Sequence, residues 1–141
     1  MFKLISTLLL SMLVATNASG MDVLVNRETE ITVITLEELY ETFTFRNSRW
    51  INGVPVTLVL MPLHSTMHRQ FLDKYIGIGH LGYKRRYNNR INSSRDKPPI
   101  IVTDMATMLE VLSRTVGGVG YAEDNMDGLL SEYNVIILEI L

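Results

Sequence analysis

Trp50-Ile51-Asn52-Gly53-Val54-Pro55-Val56, running on through Thr57-Leu58-Val59-Leu60-Met61-Pro62 to His64-Ser65-Thr66-Met67-His68-Arg69, is the stretch whose reading decides the fold. Gly53 permits a tight turn before Pro55. Val56 to Met61 is apolar and rich in β-formers, which predicts a strand, and Pro62 ends it. Ser65 or Thr66 then caps a helix whose apolar stripe is Met67, Phe71, Leu72 and Tyr75. Gly77 and Gly79 break that helix. The order is turn, strand, helix start.

The same alternation extends in both directions. Upstream, Val23-Leu24-Val25 suits a short buried strand. Thr35-Leu36-Glu37-Glu38 has the Thr-x-x-Glu form of a capping box, and Leu36, Leu39, Tyr40 and Phe43 follow at helical spacing, so a helix is expected from Leu36 to about Thr44. Downstream, a helix is expected over Leu81 to about Ile91. Asn92 to Lys97 reads as a loop, and Pro98-Pro99 forces an extended approach to Ile100-Ile101-Val102. Asp104 is placed to cap a helix carrying Met105, Met108, Leu109 and Leu112. Gly117-Gly118 stops it, Val119 to Ala122 reads as a short strand, and Val135 to Ile140 as a last buried strand. Strands alternating with helices predict an α/β domain with a mixed sheet flanked by helices.

The amino terminus reads as an export signal over residues 1–18. Lys3 gives the positive start, Leu4 to Ala15 is almost wholly apolar, and Thr16-Asn17-Ala18 and Ala18-Ser19-Gly20 each offer small residues for cleavage. The apolar run is shorter than the ~20 residues a membrane span needs, so no stable membrane insertion is expected after its removal. Residues 19–141 then form one domain, periplasmic or secreted. Losing Lys3 takes the formal charge from −2 to −3, which gives nucleic acid no electrostatic reason to bind. The chain has no Cys, so its core alone must hold it.

Taken in order, the pieces resemble one lobe of a type II periplasmic binding protein, of the phosphate-binding kind that serves ABC transporters. Leu36 to Phe43 and Trp50 stand where that family has a helix and then a Trp. Ser65-Thr66-Met67, with Phe71 in the next turn, stands at its Ser-Gly-Thr helix start. Gly117-Gly118-Val119-Gly120-Tyr121 is similar to its Gly-x-Ile-Gly-Tyr segment. A group of short exported proteins labelled as phosphate-transporter binding proteins is similar at Trp50 to Gly53, Arg95 and Pro98-Pro99. The departures are specific. Met61 stands near the family's strand-end Arg, Thr66 replaces its Gly, Met67 its Thr, and Phe45 the Gly after its first helix. The second lobe of the clamp has no counterpart.

The resemblance implies a non-enzymatic domain that binds a small oxyanion such as phosphate at the helix start, with no cofactor. The binding residues it points to are Ser65, Thr66, Met67, His68 and Arg69. Ser65 and Thr66 would give hydroxyls and backbone N–H groups, and Arg69 or His68 the charge; a helix start suits an anion because its first N–H groups lack partners. A homodimer or another protein would supply the missing wall. The alternative is a ligand-free interaction module docking on a membrane sensor, a transporter or an envelope assembly. His64, His68 and His80 invite a metal reading, but no Cys or acidic ligand joins them, and no metal site is expected. Lys84 to Arg90 is the main basic cluster. Tyr83, Tyr87 and Ile91 recur there every four residues, which predicts a core-facing stripe with a solvated basic back. Trp50 is expected to pack over the core edge. No nucleophile–base pair supports hydrolysis.

Overall fold

A computed structural model describes residues 20–93, 97–124 and 126–141. The export signal read at residues 1–18 and Arg95 lie outside them. The chain runs through β1 (Met21–Asn26), a 3-10 turn (Arg27–Thr29), β2 (Val33–Ile34), α1 (Leu36–Phe43) and β3 (Thr57–Leu60). It continues as α2 (Thr66–Phe71), a π-helical turn (Leu72–Ile76), α3 (His80–Ser93), β4 (Ile100–Ile101), α4 (Met105–Arg114) and β5 (Gly118–Glu123). It closes with α5 (Asp127–Leu130), a 3-10 turn (Ser131–Tyr133), β6 (Val135–Ile137) and β7 (Glu139–Ile140).

The main sheet has the order β4-β3-β5-β1-β6 and is mixed, as expected. β3 is parallel to β4 and to β5, whereas β1 is antiparallel to β5 and β6. Its two faces differ because side chains alternate along a strand. On one face of β5, α4 presses close: a Cβ on Gly120 would lie 2.5 Å from Met108 Sδ, so glycine is what lets the helix approach. On the other face Tyr121 stacks on Phe71 with ring centroids 4.2 Å apart, and Phe71 meets Phe43 at 4.7 Å. Phe43, Phe71 and Tyr121 are fully buried, so the aromatics from α1, α2 and β5 form one core layer.

Most helix boundaries follow their expected caps. Thr35 makes the full capping box with Glu38, Ser65 caps α2, and Asp104 Oδ1 accepts from Thr107 N–H at 2.8 Å. α1 ends in a Schellman turn: Arg46 N–H donates to Glu41 O at 2.9 Å and Phe45 N–H to Thr42 O at 3.4 Å. The left-handed position of that turn is Phe45, with φ 67°, where a glycine is the usual occupant. Its ring lies 5.9 Å from Tyr83 and 6.4 Å from Tyr87, packing that offsets the backbone strain.

Two expectations need correction. The run Val135 to Ile140 is not one strand. β6 pairs with β1, and after the buried Leu138, whose N–H donates to Val23 O at 2.8 Å, β7 changes partner and pairs parallel to β2. β2 itself is only two residues long, too short to leave a periodic signal. The stripe on α3 holds for the fully buried Tyr83, whose hydroxyl donates to Phe43 O at 2.8 Å, and for the half-buried Tyr87, but Ile91 is 40% exposed.

Gly117 is where the opening stretch locks onto β5. Its φ is +85°, and a Cβ there would lie 2.0 Å from Pro55 O. Its carbonyl accepts from the Trp50 indole N–H at 3.0 Å and from Thr57 N–H at 3.1 Å; its own N–H donates to Thr29 Oγ1 at 2.8 Å. Trp50 is accordingly buried. Gly117→Ala is expected to cost about 2–5 kcal/mol, combining about 1–2 for a left-handed non-glycine residue with about 1–3 for overpacking. Urea unfolding reads this as a lower midpoint; an unchanged midpoint would mean that the Pro55 turn moves aside freely.

Candidate anion site at the start of α2

β3 delivers the chain into this site. Leu60 and Met61 are buried, Pro62 ends the ladder, and Ser65 N–H turns back onto Pro62 O at 2.8 Å. Ser65 is extended (φ −69°, ψ 150°), as an N-cap residue must be. Its Oγ accepts from His68 N–H at 3.3 Å, and its carbonyl accepts from Arg69 N–H at 3.1 Å. The helix therefore satisfies the N–H groups of His68 and Arg69. Those of Thr66 and Met67 are the two with no acceptor in the helix. Thr66 and Arg69 are exposed; Met67 is half-buried and packs on the core.

His68 departs from the expected role of charge partner. Its side chain is fully buried, with the ring 5.0 Å from that of Tyr83 in an edge-to-face arrangement. Nδ1 lies 2.6 Å from the Tyr121 hydroxyl, which also accepts from Met61 N–H at 2.9 Å. The arrangement that serves all three groups has Tyr121 donating to a neutral His68 through Nδ1. The proton then sits on Nε2, which has no partner among the described residues. Burial lowers the His68 pKa from 6.5 to about 4 and raises that of Tyr121, so both are neutral at pH 7. His68 thus braces β3, α2 and β5 and supplies no charge to the helix mouth. Of the two expected charge partners, Arg69 is the one that remains a cation at this end of α2.

The other candidates sort by geometry. His64 is exposed and precedes the helix, so it shares no helical face with His68. Among the described residues no group of three or more His, Cys, Asp or Glu is placed to hold a metal. Tyr121, which fixes His68, was not legible as a site residue: the sequence shows it only as the end of the Gly117 to Tyr121 segment, with nothing local to bring it to His68.

The buried histidine makes stability pH-dependent. The unfolded chain takes up this proton near pH 6.5 and the folded chain only near 4. Between those values the unfolded state binds more protons, so stability falls as pH drops through that window. From pH 7 to pH 5 the loss is expected to be about 2 kcal/mol, read from urea midpoints. His68→Gln is expected to flatten this slope, whereas a slope that survives the substitution would belong to other groups.

No family model and no curated protein sequence matches the chain. Solved structures do. It is similar to the crystal structure of PstS from Borrelia burgdorferi (17% identity, TM-score 0.67), covering 86% of this chain and 47% of that one. An ABC-type phosphate transport receptor from Vibrio cholerae is similar at 14% identity and TM-score 0.59, over 86% of this chain and 46% of the receptor. A possible phosphate binding protein from Planctomyces limnophilus is similar at 16% identity and TM-score 0.61, over 87% of this chain and 42% of that one. The chain spans less than half the length of these proteins. At such identities the likeness is one of fold: the mixed sheet and its flanking helices are shared with just under half of each of these proteins.

Proposed function

We propose that this chain is an exported, non-enzymatic, solute-binding-like domain that holds a small oxyanion, phosphate by structural kinship, at the start of α2. The observation that carries the reading is the free pair of N–H groups on Thr66 and Met67, beside the Ser65 and Thr66 hydroxyls, at the carboxyl end of a parallel strand. Ligands of open α/β sheets gather at that end. Helix starts attract anions through the same unpaired N–H groups and their partial positive charge.

The site is weaker than a closed clamp. Met61 brings no charge, His68 is neutral, and Arg69 stands in water where screening is strong. Affinity in the millimolar range, about 4 kcal/mol, is what such a half-open site supports. Titration of sodium phosphate against sodium chloride at equal ionic strength tests this by amide NMR. Thr66 and Met67 are expected to shift saturably with phosphate, and Arg69→Gln to weaken binding about fivefold without lowering the unfolding midpoint. Identical shifts with chloride would remove the anion site.

The interaction-module reading draws on a different observation. Among the described residues β4 is an edge strand, and its Ile100 and Ile101 are 37% and 40% exposed. An unpaired apolar edge of this kind is a template for another chain. A phosphate-insensitive protein that recruits a membrane sensor, transporter or envelope component through this edge would fit that reading.

A further inference from the structure

The opposite end of β3 holds a second feature. A cleft of about 630 Å³ opens where β3, β4 and β5 begin and α4 ends. Four cationic side chains line it, each from a different element: Arg49 from the turn after α1, Arg90 from α3, Lys97 from the segment before β4, and Arg114 from the last turn of α4. Phe45, Val56, Pro99 and Val116 provide apolar wall. No carboxylate is among the described residues that line the cleft. The described lining is therefore cationic on a chain whose formal net charge is negative.

Arg49 and Arg114 remain available to a ligand. Arg49 commits Nη1 to Gly53 O at 2.8 Å, which neutralises no charge. Arg114 pairs with Glu110 at 2.9 Å, but the two side chains are 68% and 59% exposed, so water competes for the pair. Two of the carbonyls in the last turn of α4, which would repel an anion, are occupied. Leu112 O accepts from Asn26 Nδ2 at 2.7 Å, and Val111 O from Thr115 Oγ1 at 2.7 Å.

The volume falls in the range of small-molecule clefts, roughly 300–1,000 Å³, which combine apolar walls with a few polar anchors. A bare inorganic anion would leave those walls wet, and a single charge would engage only some of the cations. We infer that this cleft binds a small organic polyanion, an apolar or aromatic body bearing two or more carboxylate, sulfonate or phosphate groups. Arg49 and Arg114 grip the charged groups, and Val56 and Val116 cover the body. The site does not depend on the α2 anion site and uses none of its residues.

Naphthalene-1,5-disulfonate, a rigid aromatic dianion, is the probe, titrated into the protein while amide resonances are followed. Saturable shifts are expected at Val56, Thr57, Thr115 and Val116, and not at Thr66 or Met67. Inorganic sulfate and naphthalene-1-sulfonate are expected to bind about tenfold or more weakly. Arg49→Gln combined with Arg114→Gln should weaken the dianion by a similar factor while the thermal midpoint holds. If that double variant unfolds, Lys97→Gln at an exposed position should move affinity in the same direction. The inference is overturned by shifts that do not saturate, by equal affinity in the variants, or by a Glu-rich decapeptide that binds more tightly than the disulfonate, which would assign the cleft to a protein partner.

Discussion

The peptide unit at Gly117 is the constraint on which the rest of the structure depends. One residue meets the Trp50–Pro55 turn, the start of β3 and the Thr29 hydroxyl that follows β1. Because Pro55 O occupies the place of a Cβ, no other residue type fits without moving the turn. Gly117 O also holds Thr57 N–H, and that bond sets the β3–β5 register in which Thr57 faces Gly118. A slip of one residue would turn Leu58 and Leu60 to the wrong face. It would also carry Met61 away from Tyr121, and with it the brace that orients α2. The site at one end of β3 and the cleft at the other are therefore both positioned by this one crossing.

β3 separates two kinds of electrostatics. At its carboxyl end the positive potential is made mostly by backbone: a helix start, two N–H groups and one exposed Arg69. At its amino end four cationic side chains converge on apolar wall. The first suits a compact oxyanion, because N–H groups fixed in a helix cannot spread to follow a large ligand. The second suits a larger anion, because long Arg and Lys side chains adapt to separated charges. Between the two ends the core is buried and aromatic, and that burial keeps a histidine at its centre neutral.

Much of the fold was legible in local chemistry. Thr35, Ser65 and Asp104 cap the helices they were expected to cap, and Pro62 and Gly77 stop the elements they were expected to stop. These signals act over three or four residues, so sequence carries them. What was not legible depends on distant partners. β2 and β7 are two residues each and exist only because they meet. His68 sits in a helix start among polar neighbours, yet its ring is captured by Tyr121, 53 positions away. Arg49 and Arg114 gave no motif, since only the topology brings the turn after α1 to the end of α4.

The central claim is the proposal that this chain holds a small oxyanion at the start of α2. Equilibrium dialysis of the protein against radiolabelled phosphate tests it most directly, at fixed ionic strength and with chloride as competitor. The account predicts about one phosphate bound per chain at saturation, displaced by other oxyanions far more readily than by chloride. Bound phosphate that rises without saturating, or that chloride displaces equally, would contradict it.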